Sequence, residues 1–299
     1  MRTHRIAATI AVVCLMALGA AQPASAGLKI ELVFVDGEPP AAPPLIAGGG
    51  NLQQIMQVAA DNWESVLKRG GGDWKLTIEY GWATLRDTAF FAQELMHEEG
   101  GRPSRITHSC VIFNNKVIPG PPFRGFFADP TPRDNSEFGS YTSDAENLGD
   151  GWLNTGRVFT NGMGNAEDRV DMVQLAMHEI GHALGLDGDY SGFKTQSGAT
   201  LELKVTAPRP FADTVFLISN GPHIDGPLSL LMTGRPMPGE RHLISGIDAL
   251  VAAQLNLFDK PDFSDPAWDA NDGDQRVPKH RTISKFSCKD APDANRGPW

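Results

Sequence analysis

His178 and His182 stand four residues apart in His178-Glu179-Ile180-Gly181-His182, inside a stretch whose apolar spacing predicts a helix. A turn of about 3.6 residues puts both imidazoles on one face, one above the other, so two ring nitrogens can meet one metal ion. Zinc suits such a pair, since it accepts imidazole ligands in a tetrahedral site and leaves one position open to water. Glu179 directly follows the first histidine. From there its carboxylate can take a proton from a water polarised by the metal and pass it to a leaving amine. Two histidines at this spacing also occur on ordinary surface helices. The small residues Gly181 and Ala183 beside the ligands, with Gly185 to turn the chain beyond them, lift the motif above that level.

The run from His178 to Gly185 resembles the signature of the metzincin metallopeptidases, in which a third ligand comes three residues after the glycine and a methionine turn follows later. Here the expected third-ligand position is Gly188, which has no side chain to offer, and Asp187 and Asp189 flank it. A shift of one residue would supply a carboxylate. A second solution lies in Gly221-Pro222-His223-Ile224-Asp225-Gly226-Pro227-Leu228-Ser229-Leu230-Leu231-Met232-Thr233-Gly234. This segment looks like the leishmanolysin-type arrangement, where an insertion, here residues 186–220, separates the helix from a third histidine just before the methionine turn. The resemblance then makes His223 the ligand and Met232 the methionine. Imidazole is the commoner third donor to zinc, which favours His223 over Asp189. Ser245-Gly246-Ile247-Asp248 opens the next helix in the manner of matrixin-like enzymes.

What the resemblance implies is an α+β, metzincin-like (zincin) domain with a mixed twisted sheet, an active-site helix, a methionine turn and a C-terminal helix. It further implies a secreted zinc-dependent endopeptidase acting on a protein or peptide substrate, with Glu179 as general base and zinc on His178, His182 and His223. The alternative is a catalytically inactive zinc-binding, adhesion or structural protein on the same fold. Glu179 speaks against that, because a purely structural site has no use for an unliganded acid there.

The elements that must position these residues are legible in part. Leu28 to Val35 alternates like a strand, and Trp74 to Tyr80 and Arg105 to Phe113 read as two more. Asn51 caps a helix with Ile55, Ala59, Trp63, Val66 and Leu67 on its core face. A second helix is predicted over residues 168–184 and a third from Ser245, burying Ile247, Leu250, Val251 and Leu255. The piece containing FFAQELMHEEGG reads as a short helix or a decorated loop, and residues 119–161 as irregular connections around an edge strand. Strands followed by helices, without strict alternation, predict an α+β domain with a mixed sheet.

Residues 1–26 read as a secretory signal peptide, with Arg2 and Arg5, an apolar run and Ala24-Ser25-Ala26 at the cleavage site. Residues 27–258 then form the catalytic domain and 259–299 a polar tail. The net charge of −10 becomes about −12 without the two arginines. So acidic a chain, with no cluster of Lys and Arg, excludes nucleic acid as a partner. No later stretch approaches the roughly 20 apolar residues of a membrane span. Once Cys14 leaves with the signal peptide, Cys110 and Cys288 remain, and an oxidising destination predicts a disulfide between them. His97, His108, His242 and His280 read as solvated or hydrogen-bonded, and Asp269 to Asp274 as a solvated acidic turn. Asp129 and Glu137 are candidates only for the rim of a cleft.

Overall fold

In chain order the elements are β1 (Leu28–Val35), β2 (Ile46–Ala47), α1 (Leu52–Val66), β3 (Trp74–Ala83), β4 (Ala92–Gly100), β5 (Arg105–Asn114), β6 (Phe126–Phe127), β7 (Phe138–Asn147), β8 (Trp152–Gly162) and β9 (Val170–Asp171). There follow α2 (Met172–Ala183), α3 (Ser191–Ser197), β10 (Glu202–Lys204), β11 (Val215–Ser219), β12 (His223–Ile224), β13 (Arg241–His242), α4 (Gly246–Leu255) and β14 (Arg281–Ile283). The computed structural model describes residues 27–37, 46–85, 92–101, 104–116, 123–148, 151–198, 202–206, 211, 213, 215–219, 223–225, 229–233, 236–263 and 279–288. The expected signal peptide and the acidic turn at Asp269 to Asp274 lie outside these residues. Among the described residues no helix is long and apolar enough to cross a membrane.

The three expected strands become β1, β3 and β5, parallel neighbours in a five-stranded mixed sheet of order β14-β1-β3-β5-β4. Successive side chains point to opposite faces of a strand, and the register keeps each set together. Leu28, Ile30 and Leu32, then Leu76, Ile78 and Tyr80, then Val111 and Phe113 belong to the core that α1 and α2 cover. Trp63 of α1, fully buried, locks the two helices by donating its indole N–H to the Met177 carbonyl at 2.8 Å.

Two expectations need correction. The segment read as a short helix or decorated loop contains β4, an antiparallel edge strand on β5 with irregular register around Glu98. Its Gln and Glu residues hide the strand signal, and they suit an edge, where charge discourages pairing with another chain. Residues 138–162, where irregular connections around a single edge strand were expected, form the long antiparallel hairpin β7–β8. Nearly all of β7 beyond Phe138 is exposed, so no alternating apolar pattern marks it.

The described part of the C-terminal tail joins the sheet. β14 pairs in parallel with β1, and the Cys110–Cys288 disulfide is present, joining positions 178 residues apart.

α2 starts at Met172, later than expected, because Asp171 is its cap, accepting from the Gln174 N–H at 2.8 Å. That same carboxylate makes a two-pronged ion pair with Arg241, whose Nε and Nη2 each lie 2.8 Å from an oxygen. Arg241 also pairs with Asp129, and all three side chains are buried. Asp129 therefore anchors the interior and does not shape a cleft rim. Truncating the arginine would leave two buried carboxylates without their cation. Arg241→Met is expected to lower the unfolding free energy by about 3–5 kcal/mol, read as a reduced urea midpoint; a loss under about 1 kcal/mol would contradict this anchor.

Candidate metal centre

His178 and His182 project from successive turns of α2, and both are buried. Their rings meet edge to face with centroids 4.7 Å apart. His223, half-buried on β12, completes the group: its ring stacks on His178 at 5.3 Å and meets His182 at 5.0 Å. Donor atoms of the three histidines all lie within 4.8 Å of one another, so the group could hold a metal ion. Asp189, the competing candidate, is exposed and pairs with Lys194 at 3.2 Å. The Asp187 carboxylate accepts from the Asp189 N–H at 2.9 Å. The structure brings His223 to the other two histidines and leaves both aspartates outside that group.

The ring orientations test whether a cation fits. His178 Nδ1 lies 2.8 Å from the Leu231 carbonyl, and His182 Nδ1 lies 2.6 Å from the Leu186 carbonyl. A carbonyl only accepts, so each Nδ1 carries the proton and each Nε2 presents a lone pair. Those two Nε2 atoms face one another at 3.1 Å. Two lone pairs at that separation repel unless a cation lies between them, and protonation is disfavoured here. Burial lowers the His178 pKa to about 4, with the charge of His223 adding to the effect. Burial likewise holds His182 well below and His223 below the ordinary histidine range. The donor set fits a metal ion.

The floor of the group depends on a glycine. A Cβ on Gly181 would stand 2.4 Å from Met232 Sδ and 2.9 Å from its Cε, so only glycine lets the methionine lie against α2. The turn bearing Met232 is held from below by Asp248. Its carboxylate accepts from the N–H groups of Leu231 at 3.2 Å, Met232 at 3.1 Å and Ser245 at 2.8 Å. The Ser245 hydroxyl accepts from the Asp248 N–H in return, a complete capping box at the start of α4. The Ile224 N–H donates to the Met232 carbonyl at 2.9 Å, which ties the His223 strand to the same turn. At the end of α2, Gly185 takes a φ of +107°, and a Cβ there would strike the Tyr190 ring at 2.8 Å. This turn brings the Leu186 carbonyl back to His182.

Glu179 is buried beside the histidines, and burial raises its pKa to about 8. The Glu94 backbone N–H donates to its carboxylate. Glu94 itself accepts from the Ser109 hydroxyl, and burial, followed by the charge of Asp187, pushes its pKa well above the usual carboxylate range. Sequence reasoning missed Glu94 because its strand was not recognised. It also missed the Arg241 anchor, for which a lone arginine gives no signal. The histidines assigned no role are hydrogen-bonded where described: His108 to Glu79, His242 to Glu240, His280 to Tyr80 and Gln57.

No protein-family model matches the chain, and comparison with curated proteins and with solved structures likewise returns no match. The functional reading therefore rests on the chemistry of the site.

Two outcomes follow. Asp248→Ala leaves buried backbone N–H groups unmatched and removes a cap, so a stability loss of about 2–4 kcal/mol is expected, together with weaker metal binding, measured by urea unfolding and metal titration. A variant with wild-type stability would remove Asp248 from this role. The second concerns pH. In the metal-free protein the folded chain keeps the Glu179 proton up to about pH 8, whereas the unfolded chain gives it up near the ordinary glutamate value of 4.5. Wild-type stability is thereby eroded as pH rises through that window. Glu179→Gln is expected to gain stability relative to the wild type steadily from about pH 4.5 to 8; a difference independent of pH would show that burial does not hold this proton.

Proposed function

We propose that this chain is an exported zinc metalloendopeptidase with a metzincin-like catalytic domain. The observation that carries the reading is the pair of histidine Nε2 lone pairs facing each other at 3.1 Å beside a third imidazole and a buried carboxylate. Three imidazoles suit zinc and leave its fourth position open. His178, His182 and His223 would hold the ion. When bound, it supplies Lewis acidity to a water and to a peptide carbonyl.

Glu179 then moves the protons. Burial makes its carboxylate a stronger base than an exposed glutamate, and a nearby divalent charge draws the pKa down from about 8 toward the working range. Its oxygen accepts the proton of the attacking water and afterwards donates it to the amine nitrogen of the leaving segment. The Glu94 N–H keeps that carboxylate aimed.

The sheet offers a place for the substrate. β4 terminates the sheet beyond β5 and packs near α2, and a terminal strand beside the histidine group is where an extended peptide would add as a further strand. A peptide held this way presents its carbonyls in a fixed register. Export is supported by the Cys110–Cys288 bond, which belongs to an oxidising compartment.

The test is hydrolysis of an unfolded protein such as casein. Glu179→Gln should retain a full equivalent of zinc while the rate falls by about a hundred- to ten-thousand-fold. His223→Ala should lose the zinc, and Asp189→Asn should keep both zinc and activity. A Glu179→Gln enzyme as fast as the wild type would overturn the mechanism, and zinc loss in Asp189→Asn with retention in His223→Ala would reassign the third ligand.

A further inference from the structure

The face of the sheet turned away from α1 and α2 carries a second group of donors. His108 and Cys110 are two apart on β5, so their side chains leave the same face. Glu79 stands opposite Cys110 in the β3–β5 register and shares that face. The tail crosses it and delivers Cys288, bonded to Cys110. Donor atoms of His108, Cys110 and Cys288 lie within 4.8 Å of one another. The Glu79 carboxylate adds a fourth donor, 3.1 Å from His108 Nε2 through one oxygen and 3.6 Å from Cys110 Sγ through the other.

We propose that these four side chains form a second, redox-gated metal site, in which a divalent ion of zinc's chemistry takes the place of the disulfide whenever Cys110 and Cys288 are reduced. A dithiol reductant delivers two electrons and two protons to the sulfur–sulfur bond, giving two thiols and its own disulfide. The ion then coordinates both sulfurs as thiolates, and their two protons leave to solvent. Two thiolates, one imidazole and one carboxylate make a four-coordinate set, softer than the three imidazoles on the other face. A tetrahedron with bonds of 2.0–2.3 Å has edges of about 3.3–3.8 Å, so the donors need shift by only about an ångström from the observed cluster.

The cluster survives loss of the disulfide because the tail is held by other contacts. β14 pairs with β1, and the Asp36 N–H donates to the Ile283 carbonyl at 2.9 Å. Phe286 packs against Ala83, Leu85 and Ile112. The Ser287 N–H and hydroxyl both donate to Glu79 at 2.6 Å. Cys288 therefore stays near Cys110 when the bond opens. Cys110, Cys288 and Glu79 are buried. Ionised sulfurs beside a buried carboxylate are costly in such a place without a compensating dication. The same staple thus exists in two forms, covalent when oxidised and metal-bridged when reduced.

Cobalt(II) distinguishes this site from the three-histidine group, which contains no sulfur. The chain from Gly27 to Trp299, made in a reducing cytoplasm and purified without oxygen, should bind two equivalents, one of them producing the near-ultraviolet thiolate-to-cobalt charge-transfer absorption. The air-oxidised protein should bind one equivalent without that absorption. His108→Ala, which keeps both thiols, should weaken the sulfur-bearing equivalent by about tenfold or more and leave the other unchanged. The proposal fails if the reduced chain shows no thiolate absorption, if His108→Ala binds as tightly as the wild type, if reduction abolishes the native circular dichroism, or if the disulfide closes even in the reducing cytoplasm. A thiolate band that develops while the other equivalent is missing would sink the peptidase reading and leave this one standing.

Discussion

Asp248 ties three parts of the molecule to one point. Its carboxylate accepts from the turn that carries Met232 and from the start of α4, while the turn in turn supports β12 through the Ile224 N–H. The peptide between Leu231 and Met232 is engaged on both sides: its N–H, that of Met232, goes to Asp248, and its carbonyl, that of Leu231, receives His178 Nδ1. The orientation of a ring in the metal centre is thus set by a carboxylate on another helix, through one peptide unit. At its other end α4 holds α2 as well, because Asn256 donates to the Leu184 carbonyl at the turn beyond His182. Two histidines on a helix would otherwise be free to choose rotamers and tautomers. Here the peptide carbonyls of Leu231 and Leu186 choose for them, as ligand orientation at metal sites generally requires.

Much of this was legible in the sequence, and the boundary of what was legible has a physical cause. The apolar spacing of α1, α2 and α4 and the alternation of β1, β3 and β5 mark elements whose faces are buried, and burial is what writes a pattern into a sequence. The spacing of His178 and His182 speaks through helix geometry alone. β4, and the pairing of two long strands where a single edge strand was expected, were missed because their residues answer to neighbours far along the chain and to solvent, leaving little apolar periodicity. His223 could be named only through a resemblance, since nothing local marks a loop histidine as a ligand. The Arg241 anchor was invisible for the same reason: Asp129 and Asp171 lie 112 and 70 residues from it. Such long-range polar pairs carry no periodicity and declare themselves only when the chain is folded.

The two faces of the central sheet are organised by the same rule and with different donors. On the helix-covered face Ser109 holds Glu94, whose backbone reaches Glu179. On the other, the immediately following residue, Cys110, is bonded to the tail, and His108 on the preceding side meets Glu79. Three consecutive residues of β5 therefore serve two separate clusters, because the pleat sends alternate side chains through opposite surfaces. A buried interior strand of the sheet, β5, is a rigid place to fix both, which loops would not provide.

Closing the three-histidine group has an entropic cost that the ion itself is suited to offset. His223 lies about 40 residues beyond His182, and closing a flexible loop of that length costs on the order of 3 kcal/mol. Within this stretch the chain makes α3 and the strands β10 to β12, which shorten the effective loop and lower that cost. Without an ion, the end result brings two lone pairs to 3.1 Å, an arrangement the bare protein would resist. An ion such as the zinc proposed above would turn the same geometry from a repulsive one into a favourable one, because metal binding free energy adds to folding free energy. The loop, the α2 turn at Gly185 and the Met232 turn thus hold three imidazoles in an arrangement that a bound cation would complete, and such an ion and its scaffold would stabilise one another.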